Sequence, residues 1–72
     1  MATMVDRLDE ARHLLEEALD ERELAQRRFE ESIGTSMETG TYSRLRRATR
    51  QVASADRALR EVAAEGHTLS YV

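Results

Sequence analysis

The chain has no cysteine, proline, lysine, asparagine or tryptophan, and only one phenylalanine and one isoleucine. Without cysteine it can form neither a disulfide nor a thiolate metal site. Without proline it lacks the residue that most often breaks a helix. All eleven basic side chains are arginine, a bias that reads as GC-rich coding and not as chemistry. No apolar run approaches the ~20 residues that a membrane-spanning helix needs, so no membrane partner is expected. The first residues show neither the basic region nor the apolar run of a signal peptide, which makes a cytoplasmic setting the expectation. The net charge of −3 is too mild to select a class of partner. Seventy-two residues make one domain at most. A chain this short buries a small share of its surface and needs a staple or a partner to be stable.

What the chain does have is a seven-residue rhythm. Met4, Leu8, Ala11, Leu15, Ala18, Arg22, Ala25, Phe29 and Ser32 follow one another in steps of four and three without a slip. Such spacing places them on one stripe of a single long helix. Seven of these nine are apolar, and alanine recurs every seventh residue. Leu14, Leu19 and Ile33 widen the apolar arc to roughly 140°, taking 100° per residue; Leu24 falls on the far side. Thr3 and Asp6 have capping-box spacing, and Gly34 suits the position just past a helix end. These signals predict a first helix over about 4–33.

The segment from Gly34 to Tyr42 is rich in Gly, Thr and Ser and reads as the connection. Thr35 and Glu38 repeat the capping-box spacing within it, and Thr41 or Ser43 then caps a second helix. Leu45, Ala48, Val52, Ala55, Leu59, Val62, Gly66 and Leu69 form the second stripe, with Gly66 as the stop. That places helix two at about 42–65. The expected organisation is an all-α hairpin domain over 1–66 and a flexible C-terminal tail over 67–72. Two stripes of period 3.5 joined by a short link predict an antiparallel two-helix hairpin. Folding about residue 37 sets Phe29 near Leu45, Ala25 near Ala48, Ala18 near Ala55 and Leu15 near Leu59. A single hairpin cannot cover the wide arc of helix one. Self-association is therefore expected, most simply a homodimer forming a four-helix bundle with twofold symmetry. The self-interface and core candidates are the two stripes, here Leu8 to Phe29 and Leu45 to Val62, together with Leu19.

Arg22 is the exception in the first stripe, an arginine at a central seam position. It reads either as a register device pairing with an acid such as Asp56, or as a snorkelling side chain with its stem on apolar neighbours and its charge in water. Charge is also divided along the chain. Residues 1–33 hold ten acids against five arginines, a net of −5; residues 41–72 hold six arginines against three acids, a net of +3. Arg44, Arg46, Arg47 and Arg50 cluster at the start of helix two. They read either as partners for the acidic helix one or as phosphate contacts. On architecture alone, a dimer of helical hairpins resembles the plasmid copy-number regulators of the Rop type, and that resemblance implies binding of paired RNA.

Chemistry-bearing patterns are sparse. Glu10 and His13 have the Glu-x-x-His spacing of carboxylate di-iron bundles, with Glu17 one turn on, but they point away from the seam. Neither histidine sits beside a nucleophile with an orienting acid. Gly34 and Gly40 are spaced as caps and not as a phosphate loop. Arg46, Arg47 and Thr49 have the spacing of a basophilic kinase site, but Ala48 between them lies in the seam. Ser70, Tyr71 and Val72 have the pattern of a PDZ ligand, and a disordered end is the plainer reading. The expectation is a non-enzymatic interaction module without cofactor or metal. It would act as a small assembly, adaptor or regulatory subunit, encoded by a phage or mobile element, that forms a homodimer and docks onto a larger protein. A nucleic-acid regulator using the arginine cluster is the alternative.

Overall fold

The computed structural model describes the backbone of residues 3–69 and the side chains of residues 3 and 5–65. Two helices, α1 (Met4–Ser32) and α2 (Glu38–Leu69), pack against each other through a five-residue connection. Among the described residues there is no strand, and no helix is long and apolar enough to cross a membrane.

α1 starts where its cap dictates. The Thr3 hydroxyl accepts a hydrogen bond from the Asp6 N–H at 3.1 Å, and the Asp6 carboxylate accepts one from the Thr3 N–H at 3.2 Å. The box satisfies donors that would otherwise have no partner, and it places a negative charge at the positive end of the helix. At the other end the backbone leaves the helix at Ile33, and Gly34 takes φ +84°. A residue with a Cβ enters that left-handed region only with strain, so glycine makes the turn there.

The connection is shorter than the composition suggests, and α2 begins at Glu38 instead of about residue 42. Thr41 and Ser43 therefore lie inside the helix and do not cap it. The Thr41 hydroxyl turns back onto the Met37 and Glu38 carbonyls, at 3.1 and 3.0 Å. Glu38 sits in the first turn, favoured by the helix dipole, and its carboxylate accepts a hydrogen bond from the Gly34 N–H at 3.4 Å. The physical reason for the early start lies across the seam. α1 stays helical to Ser32, so the facing positions 38 and 41 must be helical for the seam to close.

The far end of α2 also differs from expectation. The helix runs through Gly66 to Leu69 and does not stop at 65. Glycine in a helix interior costs about 1 kcal/mol relative to alanine, a penalty and not a prohibition, and no proline follows to force an end. Residues 67–69 thus continue α2 where a tail was expected; residues 70–72 lie outside the described residues.

The core is a thin seam. Ala11, Ala18, Ala48 and Ser32 are buried, at 6–8% exposure. Leu8, Leu15, Arg22, Ala25 and Phe29 on α1 are half-buried, as are Thr41, Leu45, Val52, Ala55, Leu59 and Val62 on α2. The seam positions Met4, Gly66 and Leu69 lie outside the described side chains. The seven-step spacing and the burial therefore select the same stripe. The particle is long and narrow, 57 × 17 × 15 Å, with a radius of gyration of 16.5 Å. A compact chain of this length would have a radius of gyration of about 11 Å.

Candidate interaction groove

The alanines in the seam shape the surface beside it. Small side chains let two helices approach closely, and the walls of the resulting trough come from the positions that flank the seam. On α1 these are Glu10, Leu14, Glu17, Glu21, Leu24 and Arg28, again in steps of four and three. On α2 they are Arg44, Arg47, Gln51, Ser54 and Ala58. The trough has two parts, of about 510 and 270 Å³. Ala11, Ala18 and Ala55 contribute to the larger part, Ala25 and Ala48 to the smaller. Glu21 and Gln51 line both, so the two parts adjoin there.

Leu14 and Leu24 project into this trough while remaining 51% and 49% exposed. Leu24, expected on the far side of α1, instead lines the smaller part of the trough. Leu19 lines neither part and is exposed.

Charge along the trough is unequal. Around the larger part stand Glu10, Glu17 and Glu21, with Arg7 already engaged by Glu65 at 2.8 Å. Around the smaller part stand Arg28, Arg44 and Arg47, with Glu21 between the two. Arg44, Arg46, Arg47 and Arg50 are all exposed and make no ion pair among the described residues. Pairing of this cluster with acids of α1 is therefore absent among the described residues. Arg22 is half-buried and likewise makes no ion pair among the described residues. Asp56, its expected partner, instead pairs with Arg60 on its own helix at 3.2 Å. The i,i+4 acid is always within reach on the same helix, whereas a cross-seam pair needs matched height.

Glu10 and His13 assemble no metal site. His13 contacts Glu17 at 2.9 Å with both side chains well exposed. No group of three or more metal-ligating side chains comes together among the described residues.

Three features at the loop end escaped the pattern reading. The hydroxyls of Ser32 and Thr41 share a hydrogen bond across the helices. The Thr35 hydroxyl donates to the Ser32 carbonyl at 2.6 Å. The Phe29 and Tyr42 rings pack with centroids 5.6 Å apart and planes tilted by 51°. Thr41 had a legible signal, since it stands four residues before Leu45 and extends the stripe. The ring pair had none, because Tyr42 is not a seam position.

Compared with known proteins, the chain matches no family model, no curated protein and no solved structure.

Proposed function

We propose that this chain is a non-enzymatic interaction module: an antiparallel helical hairpin that forms a homodimer, a four-helix bundle, and docks onto a larger protein in the cytoplasm as an assembly, adaptor or regulatory subunit. Support for the antiparallel arrangement comes from the short link and two contacts. Ser32 meets Thr41 next to the link, while Arg7 of α1 reaches Glu65 far along α2.

The observation that carries the reading is the unfinished core. No large side chain among the described residues is fully buried, and the accessible surface is 5904 Å². A compact protein of 8.2 kDa exposes roughly 4,500 Å². The surplus follows from the elongated shape, which leaves Leu14, Leu19, Leu24 and Ile33 exposed. Each large aliphatic side chain contributes about 1.5–3 kcal/mol only when its burial is completed.

Molar mass in solution over a wide concentration range tests the reading. A mass near twice 8.2 kDa, falling on dilution together with helicity, is the expected result. A cooperatively folded monomer at every concentration overturns it.

A second reading, a Rop-like nucleic-acid regulator, draws support from the four exposed arginines without ion pairs. It predicts retention on paired RNA at low salt that weakens steeply as salt is added. Replacing Arg44, Arg46, Arg47 and Arg50 together should abolish that retention. No retention at low salt removes this reading.

A further inference from the structure

We infer that the trough is the face on which a second copy of this chain docks, reversed end for end, so that the acidic half of one trough lies on the basic half of the other. The inference rests on the homodimer reading above and names its surface.

The residues along the α1 wall are arranged for such a reversal about the level of residue 19. Leu14 and Leu24 stand five residues to either side of that level, and Glu10 and Arg28 nine residues to either side. A twofold axis crossing the helices there sets Leu14 of one copy against Leu24 of the other, and Glu10 against Arg28. Both contacts occur twice, as an isologous interface requires. Arg44 and Arg47 add positive charge beside Arg28 on the same half of the trough. Glu10, Arg28, Arg44 and Arg47 make no ion pair among the described residues, so all are free to answer charge from outside. The unfavourable juxtaposition is Glu17 against Glu21 at the centre. The long side of the hairpin measures 57 × 17 Å, so an interface that runs beyond the trough over that whole side would reach the ~800 Å² per partner that stable interfaces bury.

Charge reversal on the full chain tests the face. Glu10→Arg alone sets two arginines together at both symmetric contacts, and Arg28→Glu alone sets two glutamates together. Each variant should dimerise at least about tenfold more weakly, since like charges at an interface are strongly penalised. Both positions are exposed, and circular dichroism at high concentration should show unchanged helicity. Mixing the two variants restores one complementary pair at each contact, so a heterodimer should form with near wild-type affinity. Wild-type dimerisation with unaffected single variants overturns the face and leaves the homodimer reading standing. Weakened variants whose mixture fails to recover also overturn it. A wild-type chain that stays monomeric overturns both, and if that monomer is retained on RNA, the basic half of the trough belongs to the nucleic-acid reading.

Discussion

The two ends of the hairpin are held by different chemistry. At the loop end the Phe29–Tyr42 ring pair, the Ser32–Thr41 hydroxyl contact, the Thr35 hydroxyl and the Gly34 turn lie within 14 residues of sequence. At the open end, beside the half-buried Leu8 and Val62, the ion pair across the helices among the described residues is Arg7–Glu65, with both side chains about half exposed. The loop end is therefore the one that resists opening. Ring packing and part-buried hydroxyl bonds act where water is partly excluded, and the link is short enough that closing it costs little entropy. An exposed ion pair contributes about 0–1 kcal/mol and weakens with salt. Fraying should therefore start at the open end, with amide hydrogen exchange slowest near the loop and fastest toward Arg7 and Glu65.

Three substitutions test whether the loop end is the stronger one. Phe29→Ala removes the largest half-buried side chain of the loop end. Full burial of a Phe makes its truncation cost 3–5 kcal/mol, so a half-buried one should cost about 2 kcal/mol. For a chain of this size that lowers Tm by roughly 8–16 °C at fixed concentration. Gly34→Ala comes next, at about 1 kcal/mol, because alanine is strained at φ +84° even though its Cβ would meet no atom within 4 Å. Arg7→Ala is the smallest, at most about 0.5 kcal/mol, and 1 M salt should erase it. Thermal melts of the three variants at one protein concentration read all of these. An Arg7→Ala loss as large as that of Phe29→Ala would overturn the assignment of strength to the loop end.

The seam was legible because periodicity carries it. An apolar or small residue every three and four positions can be satisfied only on one face of a helix, and the half-buried positions from Leu8 to Val62 follow that face. Thr3, Asp6 and Gly34 were legible because caps have strict local geometry. The start of α2 was not. Thr39, Gly40 and Thr41 have weak helix preference, and they are helical because α1 extends to Ser32 and needs a facing partner. Gly66 misled for a related reason: it can end a helix or continue one, and its neighbours decide which. The trough was only half legible. The alternation of Glu10, Leu14, Glu17, Glu21, Leu24 and Arg28 was present in the chain, but Leu24 could not be placed on the trough until α2 supplied the facing wall. Asp56 could not be assigned to Arg60 over Arg22 without knowing the height at which the helices meet.

The amino-acid order alone determined that this chain forms two long helices with a continuous alanine-rich seam, because a seven-residue repeat without proline has no other low-energy arrangement. It also determined the division into an acidic first half and a basic second half. Only the tertiary structure decided where the helices begin and end, which charges find partners within the chain, and that Leu14 and Leu24 share one trough. Those outcomes depend on the relative height and rotation of two helices, set by side chains meeting across the seam and not by any residue's local preference.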